Sequence, residues 1–112
     1  MLEGLNYMHK LGIIHRDIKL ANVVKNSQDA DDLSIKLVDL GFAIFKKINN
    51  DENDFCGSPT YMSPEICLHR PYNEKVDIWA LGIVLFKLLN GDNNNYPPYE
   101  DVFSFKELTK KM

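Results

Sequence analysis

Cysteine is scarce in this sequence, which contains only Cys56 and Cys67 among its 112 residues. Two cysteines are too few for the disulfide framework that holds many small secreted domains together. The first residues also lack the basic start and the apolar run of a secretory signal peptide. We therefore expect a reducing environment and an intracellular, cytoplasmic location.

A long uninterrupted apolar run is missing as well. The longest run, over residues 76–89, contains Asp77 and Lys87 and falls short of the ~18 uncharged residues that a membrane-spanning helix needs. Its apolar residues occupy every face instead of one stripe, which is typical of a helix that other protein elements surround. The sequence therefore predicts a buried helix and no membrane span.

Neither sign of charge is in excess. The chain has 13 Lys and Arg residues against 16 Asp and Glu residues, for a formal net charge of -3, and the two signs are interleaved. This balance gives no basis for binding nucleic acid or anionic membranes. Two acidic clusters, within residues 29–32 and 51–54, lie among polar residues that predict exposed loops.

The sequence does contain a mixture of helical and β patterns within one small domain. The predicted elements are a helix over residues 1–11, a β-hairpin of 22–25 and 34–38, an irregular segment over 39–64, a short helix from Pro64, a long helix over 75–90 capped by Gly91, and a helix from about Val102. An irregular segment of this length inside a compact domain is usually functional.

The most specific motif is H-R-D-x-K-x-x-N, formed by residues 15–22. Five specified residues at fixed spacing arise by chance in so short a chain on the order of once in tens of thousands of trials. Three further motifs follow: Asp39-Leu40-Gly41, Ser63-Pro64-Glu65 and the D-x-W-x-x-G of residues 77–82. In order and spacing they resemble the D-F-G, A-P-E and central-helix motifs of eukaryotic protein kinases.

The resemblance covers nearly the whole chain and implies its fold. That fold is mainly α with a small β-hairpin, namely part of the C-terminal lobe of a kinase domain, without the N-terminal lobe and the last C-terminal helices. Residues 1–112 would form one partial kinase domain. Within it, the resemblance implies a catalytic loop over residues 15–22, an activation segment over 39–65 and a central helix over about 75–90.

The resemblance also implies ATP-dependent phosphorylation of serine and threonine in protein substrates. Asp17 would orient the substrate hydroxyl and accept its proton, and Lys19 would place its ammonium against the γ-phosphate of ATP. Asn22 and Asp39 would supply hard oxygen ligands to Mg²⁺. In the family, a lysine at the position of Lys19 marks serine/threonine specificity.

Apolar residues complete the nucleotide site that the resemblance implies. Val24, on the first strand of the hairpin, would line the adenine pocket, and Val38 would lie behind the nucleotide. Leu40 replaces the usual phenylalanine and would keep an apolar plug beside His15, whose ring packs in the core in the family. His9 has no partner at metal-ligand spacing, so we interpret it as a surface or packing residue.

Regulation would act through Arg16. In kinases with an arginine before the catalytic aspartate, this cation commonly binds a phosphate on the activation segment. Asp54 takes the place of the phosphorylated residue here. One hypothesis is that its permanent carboxylate substitutes for the phosphate and keeps the parent kinase constitutively active. The alternative, equally consistent with the sequence, is that Asp54 belongs to a solvated acidic loop without a regulatory role. Ser58 is an alternative modification site, but it also replaces a threonine that contacts Asp17 and Lys19 in the family.

Two positions bear on the choice of substrate. Basic-directed kinases often carry one carboxylate just before the asparagine of the catalytic loop and another late in the central helix, where this chain has Ala21 and Lys87. We therefore expect no strong preference for arginine near the phosphoacceptor. The activation segment is most similar to those of calmodulin-dependent and autophagy-type kinases.

Three interpretations of the whole chain are open. It is part of an active serine/threonine kinase, a non-catalytic interaction module derived from a kinase, or an incomplete gene product, and a start inside a predicted helix favours the last. We expect no measurable phosphoryl transfer from the isolated chain, because it lacks the Gly-rich loop and the β3 lysine that cradle ATP in the family.

Overall fold

A computed structural model describes residues 1–28, 31–32, 34–46 and 52–90. The predicted cap at Gly91 and the helix predicted from Val102 lie outside these residues. Asp29 and Asp51 of the two acidic clusters lie outside them too. Within the described part of the chain, no helix is long and apolar enough to cross a membrane.

The helices and strands follow the predicted order with two additions. They are α1 (Leu2–Lys10), β1 (Ile13–Ile14), β2 (Val23–Lys25), β3 (Ile35–Leu37), β4 (Ile44–Phe45), α2 (Pro64–Cys67) and α3 (Lys75–Asn90). Strands β2 and β3 form the expected antiparallel hairpin, with Val24 opposite Lys36. Strands β1 and β4 form a second antiparallel pair that the sequence analysis missed.

The predicted fold class is therefore only partly right. Among the described residues the structure is mixed α/β, with three α-helices and two small antiparallel sheets. The second sheet went unpredicted because its strands have only two residues each. Two residues are too few for the alternation of apolar and polar positions that identifies a strand.

Two clusters of buried apolar side chains hold these elements together. The first comprises Ile14, Met62, Ile66, Cys67, Tyr72 and Val76. The second comprises Leu5, Ile18, Ala80 and Val84. Because Ile14 belongs to the first cluster and Ile18 to the second, the backbone of residues 15–17 between them is held on both sides.

Helix α3 contributes to both clusters and is the platform of the fold. Its first turn begins where the Asn73 side-chain oxygen accepts a hydrogen bond from the Lys75 N–H at 3.0 Å. Only one face is buried among the described residues, since Leu88 and Leu89 are 57% and 76% exposed. The covering expected for the other faces of this helix does not come from the described residues.

The loop before the first apolar cluster also differs from the prediction. Glu52, expected in an exposed acidic loop, is only 2% exposed. Its backbone pairs with Tyr72, whose N–H donates to the Glu52 carbonyl at 2.9 Å. This pairing ties the activation segment to the loop that precedes α3.

Candidate active site

Asp77, on the first turn of α3, holds the backbone of the catalytic loop. Its Oδ1 accepts a hydrogen bond from the Arg16 N–H at 2.8 Å, and its Oδ2 accepts from the His15 N–H at 2.9 Å. The His9 ring nitrogen Nε2 lies 2.8 Å from the same Oδ2. Asp77 is buried, and a buried carboxylate is stable only when such donors replace water. These hydrogen bonds therefore fix the loop on the helix.

The loop turns sharply at Arg16, where φ is +67°. Residues other than glycine seldom adopt this left-handed conformation, and strained backbone concentrates at functional sites. The two hydrogen bonds to Asp77 hold the backbone that enters the turn. The turn delivers Asp17, the next residue, to the centre of the site.

Asp17 is the centre of a hydrogen-bond network. Its Oδ1 accepts from the Ser58 N–H at 3.0 Å and from the Ser58 hydroxyl at 2.9 Å. Its Oδ2 accepts from Lys19 Nζ at 2.7 Å and from Asn22 Nδ2 at 3.2 Å. Burial alone would raise the pKa of Asp17, but the hydrogen bonds from Lys19 and Ser58 hold it below its ordinary value. The carboxylate is therefore ionised at neutral pH.

Asn22 links the catalytic loop to the end of the hairpin. Its side-chain Nδ2 also donates to the Asp17 carbonyl at 2.9 Å, which leaves the amide oxygen as the atom able to bind a cation. Its backbone carbonyl accepts from the Val38 N–H at 3.0 Å. Asp39 follows directly, exposed and with φ of +64°, and its Oδ1 accepts from the Gly41 N–H at 3.1 Å.

The two valines predicted to contact adenine lie on one face of the hairpin. Val24 is paired with Lys36, and Val38 is two residues beyond that partner, so alternation along the strand puts both valines on the same side. They are 38% and 37% exposed. Leu40, however, is 60% exposed and His15 fully buried, so the expected buried stack of these two side chains is not present.

Arg16 reaches away from Asp17 into the activation segment. Its Nε donates to the Phe42 carbonyl at 2.7 Å, and its Nη1 donates to the Tyr72 hydroxyl at 3.0 Å and to the Asp54 carboxylate at 3.2 Å. The Tyr72 hydroxyl in turn donates to the Asp54 carbonyl at 3.1 Å. The sequence analysis missed Tyr72, because a tyrosine between two elements belongs to no motif.

Gly57 lets the activation segment lie against the catalytic loop. Its φ is +102°, and a Cβ atom added there would lie 2.5 Å from the Arg16 carbonyl oxygen. Only glycine fits such an approach of two backbones. Ser58, the next residue, is thereby brought to Asp17. The structure thus brings together Asp17, Lys19, Asn22 and Ser58, with Arg16 and Asp54 beside them.

The protein kinase domain family matches residues 1–109 of the chain. The chain belongs to the protein kinase family. The resemblance drawn from the motifs is thereby confirmed, and with it the assignment of this chain to a serine/threonine protein kinase domain. Kinases of this family generally use ATP and Mg²⁺ and act on proteins.

Several curated kinases are similar to this chain over most of its length. It is 40% identical to an Aurora kinase of Eremothecium gossypii over 111 residues, which cover 99% of this chain and 28% of that protein. It is 43% identical to calcium/calmodulin-dependent protein kinase type II of Caenorhabditis elegans over 103 residues, 90% of this chain and 13% of that protein. It is 40% identical to human cGMP-dependent protein kinase 2 over 102 residues, which cover 89% of this chain and 12% of that protein. The chain thus spans less than a third of the length of these relatives.

Proposed function

We propose that this part of the kinase domain carries the groups that transfer phosphoryl from ATP to serine and threonine hydroxyls of protein substrates. The observation that carries the proposal is the Asp17 carboxylate, which is ionised and held by Lys19, Ser58 and Asn22. Phosphoryl transfer depends mainly on positioning and on neutralising charge. A carboxylate fixed from several sides beside a lysine meets both needs.

Each side chain would have a separate task. Asp17 would accept a hydrogen bond from the substrate hydroxyl, orient it and take its proton as the new O–P bond forms. Its lowered pKa makes it a weak base, so orientation is its main contribution. Lys19 would neutralise negative charge on the transferred group. The Ser58 hydroxyl, which accepts from Lys19 and donates to Asp17, would hold these two side chains in fixed positions relative to each other.

The same residues fit ATP and Mg²⁺. Bound together, these would supply the phosphoryl group and offset the charge that develops on its oxygens. The Asn22 amide oxygen and the Asp39 carboxylate are the hard oxygen donors that Mg²⁺ prefers, and the hydrogen bond between Val38 and Asn22 brings their segments together. Val24 and Val38 offer a half-exposed apolar surface suited to the adenine ring.

Substitutions at Asp17 and Lys19 test this proposal. In the full-length product of the native gene, Asp17→Asn and Lys19→Met should each lower incorporation of labelled phosphate into a generic protein substrate by about 10²-fold or more. The matched control is Lys10→Met, which removes an exposed lysine at the end of α1 and should keep full activity. Activity that survives in both variants would refute the assignment. A wild-type protein without ATP-dependent labelling would point to a non-catalytic interaction module.

We also propose that Arg16 and Asp54 form a regulatory pair, in which the carboxylate takes the place of a phosphate. Support comes from the contact between Arg16 Nη1 and Asp54 Oδ2 at 3.2 Å. Because the Asp54 side chain is 66% exposed, the pair contributes only up to about 1 kcal/mol. Asp54→Asn should therefore reduce activity about two- to five-fold.

Tyr72→Phe provides the comparison for Asp54→Asn. It removes the buried hydroxyl that bonds both Arg16 and the Asp54 carbonyl, and an unsatisfied buried group costs about 1–3 kcal/mol. Kinase activity should therefore fall further in Tyr72→Phe than in Asp54→Asn. Unchanged activity in Asp54→Asn would favour a merely solvated acidic loop.

We propose a cytoplasmic location for the protein, because Cys56 and Cys67 are free thiols.

A further inference from the structure

One side chain of the activation segment reaches the beginning of α3. Lys46 follows β4, and its Nζ donates to Glu74 Oε2 at 2.8 Å. Glu74 is the residue immediately before α3, and Asp77, in the first turn of that helix, holds the backbone of the catalytic loop. The activation segment and the catalytic loop are therefore attached to the same end of one helix.

Both residues of this ion pair extend from backbone that is already held. The Lys46 N–H donates to the Gly12 carbonyl at 2.6 Å, and the Glu74 carbonyl accepts from the Asp77 N–H at 3.2 Å. Many surface ion pairs contribute little, because ordering two long side chains costs conformational entropy. That cost is smaller here, since the backbone beneath each side chain is fixed.

The two charges are also partly shielded from water. The side chains of Lys46 and Glu74 are 33% and 27% exposed, so solvent screens their attraction less than it would at a fully exposed site. The hydrogen bond from Lys46 holds the pKa of Glu74 below its ordinary value. The carboxylate is therefore ionised, and the ion pair is formed, at neutral pH.

The residues just before Lys46 carry a proposed ligand of Mg²⁺. Asp39 is exposed and begins the stretch of the activation segment that Lys46 ends. Between them, the Phe42 carbonyl accepts from Arg16 Nε at 2.7 Å, and β4 pairs with β1. These contacts hold the stretch against the catalytic loop, and Lys46 joins its far end to α3.

We propose that the ion pair of Lys46 and Glu74 positions residues 39–46 beside the catalytic loop and so strengthens the binding of ATP with Mg²⁺ at Asp39. Lys46 and Glu74 are positioning residues, because both act through Asp39. The inference rests on the proposed function, since it takes Asp39 as a ligand of Mg²⁺. Because the pair is only partly buried, its effect on binding should be about two- to five-fold.

A double-mutant cycle in the full-length gene product tests the pair without using its activity. Lys46→Met and Glu74→Gln should each raise the Kd of a fluorescent ATP analogue, measured with Mg²⁺, by about two- to five-fold. The double variant should lose no more than either single variant, because the same pair is absent from all three. With EDTA in place of Mg²⁺, the Kd should be equal in all four proteins.

Two further variants separate the charge from the side chain. Lys46→Arg keeps the cation and should retain the Kd of the wild type. The matched control is Lys10→Met, which removes an exposed lysine from the end of α1 and should also leave the Kd unchanged. In assays of activity, KM for ATP should rise in Lys46→Met, whereas KM for a peptide substrate should not, because the contact of Ser58 with Asp17 remains.

Hydrogen exchange gives a second measurement that does not depend on ATP. Local opening exposes backbone amides to exchange, and the Lys46 N–H and the N–H groups of β4 are hydrogen-bonded in the closed arrangement. Amides within residues 39–46 should therefore exchange faster in Lys46→Met and Glu74→Gln than in the wild type. Amides of α3 should exchange at the same rate in all three proteins.

Three results would overturn the inference. The Kd measured with Mg²⁺ is unchanged in both single variants, the double variant loses the product of the two single losses, or the Kd rises equally with EDTA. Each leaves the proposed function intact, provided that the wild type still labels its substrate. Should the wild type neither bind ATP nor transfer phosphate, the proposed function fails, and hydrogen exchange decides the positioning role. Faster exchange over residues 39–46 in both single variants supports it, and unchanged exchange refutes it.

Discussion

Gly57 is the residue at which the activation segment comes nearest to the catalytic loop. The segment can hold Ser58 against Asp17 only because the backbone at Gly57 adopts a positive φ with the Arg16 carbonyl oxygen directly beside it. The contacting atom belongs to the backbone of a loop that Asp77 fixes. It cannot move aside as the end of a flexible side chain would.

Gly57→Ala should therefore destabilise the protein and reduce its activity. The left-handed backbone conformation alone costs about 1–3 kcal/mol for a residue with a side chain, and the collision with the Arg16 carbonyl adds to this cost. Urea denaturation of the full-length protein measures the loss. Gly4→Ala is the matched control, because nothing lies within 4 Å of its added Cβ on α1, and it should stabilise the protein slightly. Equal stability of the two variants would contradict the account.

Some residues of the site could be predicted from the sequence and others could not. Asp17, Lys19 and Asn22 stand at fixed spacing in one short loop, so a motif identifies them. Tyr72 contacts Arg16 across 56 residues of sequence, and no spacing rule connects two residues so far apart. The burial of Glu52 could not be predicted from the sequence either. Its polar neighbours indicate an exposed loop, whereas its burial depends on backbone pairing with the distant Tyr72.

At the scale of elements, α3 positions the catalytic loop through one side chain. Asp77 lies in the first turn of the helix, where a carboxylate also interacts favourably with the helix dipole. It receives the backbone N–H groups of His15 and Arg16, which are 62 and 61 residues earlier in the chain. The helix was readily predicted from its apolar residues, whereas this polar attachment was not.

Asp77→Asn should weaken the attachment while changing few atoms. The amide keeps one oxygen acceptor but presents N–H donors toward groups that also donate, so at least one buried donor among His9, His15 and Arg16 loses its partner. We expect a loss of at least about 2 kcal/mol in the free energy of unfolding. The control is Asp32→Asn, at a half-buried residue outside this attachment. It should cost far less, because the amide oxygen can still accept the hydrogen bond that the Ser34 N–H donates to Asp32 at 2.8 Å. A stable Asp77→Asn protein with normal activity would show that the loop is held by other contacts.

At the scale of the whole molecule, the described residues leave a substantial apolar surface uncovered. Leu85, Leu88 and Leu89 on α3 are each more than half exposed, and the chain spans less than a third of the length of the curated kinases it matches. Contiguous exposed apolar patches are sites where other protein segments pack. The stability of these residues is therefore best measured in the full-length protein.

Cys67 offers a probe of that stability. It is completely buried in the first apolar cluster, where β1, the activation segment, α2 and α3 meet. Burial raises the pKa of this thiol to about 11, from an ordinary value of 9.0. The folded protein thus keeps the proton at pH values where the unfolded chain releases it.

Stability should therefore fall as the pH rises from about 9 toward 11, because ionisation of Cys67 favours the unfolded chain over that range. The thiol contributes its full stabilisation below pH 9, and the loss at pH 11 is roughly 2 kcal/mol. Other groups titrate in the same range, so the measurement compares urea denaturation of the wild type and Cys67→Ala at several pH values. The alanine variant is less stable throughout because of the cavity it creates, but its stability should decline less steeply with pH. Parallel declines in the two proteins would mean that the Cys67 thiol is already able to ionise in the folded state.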